Sequence, residues 1–165
     1  MNYINELVSR YRGKGLLIDT NLLLLYFVGM YDQDRITKFK RTRSFSTEDF
    51  QLLAGFIGNF KRLITTPNIL TEVSNLSGQL SEVLRSGFYK DFATRIGSFD
   101  EDYLTSVGIA SFAHFDKFGL TDSGIVELVK NKYLVLTDDL TLFAYLQNQP
   151  IDAINFNHIR PLTWN

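Results

Sequence analysis

Four carboxylates in this chain, Asp19, Glu72, Asp122 and Asp139, fall where a parallel α/β fold would gather side chains for chemistry. Asp19 directly follows the apolar run Leu16-Leu17-Ile18. Asp138 and Asp139 directly follow the run Tyr133 to Thr137. Glu72 lies about a turn and a half into the helix expected after a second short strand, and Asp122 in the first turn of another helix. Carboxylates brought together repel one another, and an unpaired buried charge is costly. A bound cation relieves both. Oxygen ligands without histidine or cysteine favour Mg2+ or Mn2+. Such ions stabilise the attacking and leaving oxygens of a phosphodiester and lower the pKa of a water, so no side-chain nucleophile is required.

Taken singly, each acid has a plainer explanation. Aspartate after a strand is often a helix cap, which suits Asp19, and Asp122 beside Thr121 favours the positive end of its helix. Asp138 and Asp139 read as turn residues. Glu72 fits a structural role least, because Ile69, Leu70, Val73 and Leu76 place it at the border of a buried face. Four independent caps need not fall at one end of one sheet, so the group is harder to dismiss than its members.

Other chemistries are excluded by composition. There is no cysteine, hence no disulfide framework, thiol nucleophile or Cys-ligated metal. The two histidines, His114 and His158, lie far apart in sequence and do not suggest a shared site. With 45% apolar residues in 165, one domain spanning residues 1–165 can build its core unaided. The net charge of −1 is unlike that of many nucleic-acid binders, although acids reserved for a metal would mask a basic patch elsewhere. The opening MNYINELVSRYR has no secretory pattern, and Leu22 to Val28 falls short of the roughly 20 residues a membrane span needs. A soluble cytoplasmic protein with no membrane partner is expected.

The elements that must position the acids follow from the pattern. A helix is expected over Asn2–Arg12, from Ile4, Leu7, Val8 and Tyr11 at helical spacing. Leu16–Ile18, Arg62–Thr65, Tyr133–Thr137 and Ile151–Phe156 read as short buried strands. Helices are expected from Leu22 to Tyr31, from Ser46 or Thr47 onward, and after Thr66-Pro67, where threonine caps and proline suits the first turn. The glycine-broken stretch from Gln79 to Lys117 predicts two helices, and Thr121 is expected to cap a third. A last helix is expected over Thr141–Gln147. Strands alternating with helices indicate a parallel sheet covered on both faces, with ligands outside the carboxyl ends of its strands.

The segments LLIDTN (16–21), TPNILTEVSN (66–75), GLTDSGIVELV (119–129) and YLVLTDDLTL (133–142), in this order and each carrying an acid, resemble the PIN domain family of metal-dependent nucleases. The resemblance spans nearly the whole chain. It implies a three-layer α/β/α sandwich around a parallel sheet of four or five strands. It implies that Asp19, Glu72 and Asp122 bind Mg2+ or Mn2+, and that the fourth acid is Asp139, two residues after Thr137, rather than Asp138. Asn21 and Thr137 match small polar positions that orient the acids through hydrogen bonds. The activity implied is endoribonuclease cleavage of RNA. Many small bacterial members resemble toxins held by a protein antitoxin, often as homodimers. This chain is longer than those, with the excess in 32–46 and after Gln79. A second reading of the same residues is a PIN-like module that binds RNA or a protein without cutting.

Lys38, Lys40, Arg41 and Arg43 form a basic stretch from which Phe39 and Phe45 emerge. It reads as an excursion from the core whose cations contact RNA phosphates and whose Phe39 or Phe45 stacks on a base. The alternative is a solvated charged loop. Arg12-Gly13-Lys14-Gly15 lacks the spacing of a triphosphate-binding loop. Asp19-Thr20-Asn21 lacks the second acid of a phosphoaspartate enzyme.

Overall fold

The computed structural model describes residues 2–160. Five parallel strands, β1 Leu16–Ile18, β2 Leu63–Thr65, β3 Asp100–Glu101, β4 Leu134–Thr137 and β5 Ala153–Asn155, form one sheet in the order β3-β2-β1-β4-β5. β1, β4 and β5 are buried at every position, as expected of strands covered on both faces. The helices are α1 Asn2–Tyr11, α2 Thr20–Tyr31, α3 Thr47–Ile57, α4 Pro67–Ser77, α5 Glu82–Ile96, α6 Ser106–Ala110, α7 Phe115–Val129 and α8 Leu140–Asn148. The result is the α/β/α sandwich around an all-parallel sheet. Among the described residues no helix is long and apolar enough to cross a membrane.

The sheet order creates a crevice. From β1 the chain moves outward through β2 to β3, then crosses to the other side of β1 for β4 and β5. The connections leaving β1 and β4 therefore diverge, and the space between their carboxyl ends is where open α/β sheets take ligands. α2 begins there. It is apolar nearly all round, with Leu22 to Leu25, Phe27 and Val28 buried, because α3, α4 and α5 all pack against it.

Three expectations need correction. The strand β3 escaped sequence reading because Asp100-Glu101 is an exposed acidic pair at the sheet edge, held by Arg62 donating to Asp100 (2.8 Å). Its shortness and charge guard an edge that apolar residues would leave adhesive. The glycine-broken stretch holds α5, α6 and the start of α7, which continues past a break at Gly119 to Val129. Residues 32–46 are not an excursion from the core: Ile36, Phe39, Thr42 and Phe45 all point inward. A burial period of three follows from successive turns, with the Thr42 amide donating to the Phe39 carbonyl and the Phe45 amide to that of Thr42. Phe39 and Phe45 are thereby core residues and are not free to stack on a base. Lys38, Lys40, Arg41 and Arg43 remain outside.

Candidate active site

Each acid is delivered by a different connection. Asp19 caps α2: its Oδ1 accepts from the Leu22 amide (3.2 Å), and its Oδ2 accepts from the Asp138 amide (3.1 Å) and the Thr137 hydroxyl. Asp139 caps α8 by accepting from the amides of Thr141 (2.7 Å) and Leu142 (3.0 Å), while its own amide donates to Thr137 Oγ1 (2.9 Å). Thr137 thus locks the acid after β1 to the acid after β4. Asp19 is the helix cap expected of it, Asp139 is a cap where a turn residue was expected, and both caps face the same crevice.

Glu72 projects from the middle of α4. Its two oxygens accept from Thr20 (2.8 Å) and Thr121 (2.6 Å), hydroxyls carried by α2 and α7. Thr121 does not cap a helix as expected, because the break at Gly119 (φ 67°, ψ −165°) places it inside α7, facing Glu72. The Asp122 carboxylate, one residue on, accepts no hydrogen bond among the described residues.

Asp19, Glu72, Asp122 and Asp139 line one cleft of about 170 Å³, together with Thr20, Asn21, Leu76 and Leu142. Asp138 does not line it. Its carboxylate accepts from Asn21 Nδ2 (3.5 Å), and its carbonyl accepts from Asn157 Nδ2 (3.1 Å), so Asn21 orients Asp138 rather than the four acids. The cations of the 32–46 segment lie outside the cleft.

Charge in the cleft is unbalanced. Burial, then repulsion from Asp138, raises the Asp19 carboxyl far above the ordinary range even against three hydrogen bonds that favour its anion. Burial, then repulsion from Asp139 and Glu72, raises Asp122 to about 6. Burial likewise raises Asp138. Among the described residues no three acid or histidine side chains are grouped tightly enough to hold a metal ion as they stand. Asp19 and Glu72 present both oxygens to protein donors, whereas Asp122 and one oxygen of Asp139 do not. An all-carboxylate donor set under mutual repulsion fits a hard divalent cation, since each carboxylate retains lone pairs beyond those already bonded.

The two threonines on Glu72 were not anticipated, because a threonine beside an acid reads as a cap. The histidines stand apart from the cleft. His114 bonds Ser123 (3.1 Å) and Glu127 (2.8 Å), an arrangement with no exposed nucleophile because Ser123 is fully buried, and His158 packs edge-on against Phe143. The chain matches no family model, and no curated protein gives a significant match.

Proposed function

We propose that this chain is a Mg2+- or Mn2+-dependent endoribonuclease of PIN-like build. The observation that carries the reading is the convergence of four carboxylates from four separate connections on the cleft at the sheet's switch point, with Asp19 raised by burial and by Asp138 beside it, and Asp122 by burial and by Asp139 and Glu72. A structural role would not require acids to be crowded in this way, because it would be served equally well by neutral caps. Asp19, Glu72, Asp122 and Asp139 would hold the cation. When bound, it stabilises charge on the phosphodiester and eases ionisation of the attacking water.

The remaining work belongs to the protein. Thr137 holds the Asp19 carboxylate through one oxygen and the Asp139 backbone through the other side of its hydroxyl. Thr20 and Thr121 fix the rotamer of Glu72, so that its charge is aimed before any ligand arrives. The amino ends of α2 and α8, capped by Asp19 and Asp139, add positive potential at the cleft floor. A PIN-like binding module that does not cut is the second reading; the engagement of both Asp19 and Glu72 oxygens by protein donors favours it.

The test is cleavage of a labelled mixed RNA pool in Mn2+ by the wild type and by Asp122→Asn. Cutting by the wild type that falls at least about 100-fold in the variant is expected, the scale of losing a group that stabilises transition-state charge. Undiminished cutting by Asp122→Asn would refute the site. Cation binding without cutting by either protein would favour the binding module.

A further inference from the structure

Beside the acidic cleft runs a second groove of about 280 Å³, with Arg35, Lys38 and Lys40 on one wall and Gln79, Ser81 and Leu84 on the other. Phe39 and Leu80, both nearly buried, contribute apolar surface to it. Its cations are differently employed. Arg35 pairs with Asp32 (3.0 Å), and Arg41 donates to Gln79 (2.9 Å), tying the turns of 36–45 to the connection between α4 and α5. The ammonium groups of Lys38 and Lys40 enter no hydrogen bond or ion pair among the described residues. On the far wall Ser81 precedes the fifteen-residue α5 without a side-chain cap bond, and Glu82 in the first turn offsets the helix's positive end.

One turn of chain separates the groove from the cleft. Leu76 lines the cleft, Gln79 lines the groove, and the Gln79 amide donates to the Leu76 carbonyl (3.2 Å). The lysines ride on turns anchored every third residue in the core, so little backbone ordering remains to be done when a ligand binds.

We propose that this groove carries the phosphate backbone of the RNA strand leading into the cleft, with Lys38 and Lys40 as the phosphate-binding residues and Arg41 as the strut that sets the groove's width. The inference rests on the ribonuclease reading and adds the path of the substrate. An acidic peptide would satisfy the same lysines, but it would bring further carboxylates to the mouth of a cleft already crowded with them. Phosphates instead are the ligands that a cation-loaded cleft would attract.

The experiment is a salt titration of binding to a short fluorescent single-stranded RNA, in EDTA so that nothing is cut. Lys38→Ala/Lys40→Ala is expected to flatten the slope of log K against log salt by about 1.4, about 0.7 for each phosphate that no longer meets a lysine. The reference is Lys14→Ala/Lys61→Ala, an equal charge change at the amino ends of β1 and β2, which is expected to leave the slope near the wild-type value. An equal effect from both pairs would mean diffuse attraction and would overturn the proposal. So would an unchanged slope in the groove variant accompanied by loss of binding to poly-glutamate, since the groove would then take a protein. Because the titration needs no metal, absence of RNA cleavage by a protein that still shows the expected slope change would refute the ribonuclease reading alone.

Discussion

Asp122 differs from the other three acids in having no protein donor, and its burial beside Asp139 and Glu72 sets its pKa at about 6. Because the folded value lies above that of the unfolded chain, the native state binds the extra proton. Its contribution to metal-free stability is therefore fully present below the ordinary aspartate range and is lost as pH rises through about 6. A difference of about two pH units between the folded and unfolded values corresponds to about 3 kcal/mol at full burial, and partial exposure reduces this to roughly 2. Asp122→Asn should accordingly stabilise the metal-free protein by about that amount near pH 7.5 and by little near pH 4, read from urea unfolding at both values. A variant less stable than the wild type at both would show that the carboxylate is not held against repulsion. Asp19 and Asp139 were legible in the sequence because each follows an apolar run that ends at the sheet's carboxyl edge, and Glu72 and Asp122 were legible as members of the same group of acids. Of their partners Thr137 was legible as well, whereas the threonines on Glu72 were not. Whether Thr121 caps a helix or meets Glu72 depends on a backbone break that carries no residue signal beyond a glycine.

That break is a property of α7 as a whole. At Gly119 the backbone takes φ 67° and ψ −165°, a region essentially closed to residues with a Cβ, and this offset carries Thr121 to Glu72 and Asp122 into the cleft. A Cβ there would meet no atom within 4 Å, so the cost of Gly119→Ala is conformational, about 1–3 kcal/mol. Gly55, in the last turn of α3, has equally open space but helical backbone, and Gly55→Ala should stabilise by about 0.5 kcal/mol. Thermal unfolding of the two variants should therefore move in opposite directions, and RNA cleavage should fall only in Gly119→Ala. Matching shifts would show that the break is not imposed by the fold. The other elements were read closely from sequence where an apolar run or a cap marked them. β1, β4, Thr66 capping α4, and Ser46 with Asp49 capping α3 all stand where pattern placed them. β3 was missed because edge strands select charge over hydrophobicity, and the three-residue burial period of 36–45 belongs to neither helix nor strand templates.

Across the whole molecule, one polar network joins the last described turn to the third helix and to the cleft's border. Arg160 donates from Nε and Nη2 to the two oxygens of Asp49 (2.8 and 2.7 Å), a carboxylate only 1% exposed that also accepts from the Ser46 amide at the start of α3. The same guanidinium donates to Asn157 (3.2 Å), whose own amide group reaches the Asp138 carbonyl, and it lies over the ring of Phe45. The segment after β5 is thus tied to α3, to the turns that carry Lys38 and Lys40, and to the loop that presents Asp139. Nothing local in the sequence reports a contact between positions 49 and 160, which lie 111 residues apart. Removing the cation would leave Asp49 buried with its charge uncompensated, so Arg160→Ala should destabilise by about 3 kcal/mol in urea unfolding. Arg160→Lys should recover only part of this, because an ammonium cannot engage both oxygens in the planar, forked geometry. Adding Asp49→Asn to Arg160→Ala should restore much of the stability by neutralising the stranded carboxylate, even though it removes a second member of the pair. If the double variant were weaker by the sum of the two single effects, the stabilisation would lie in separate packing of the two side chains and not in the charge pair that joins α3 to the turn after β5.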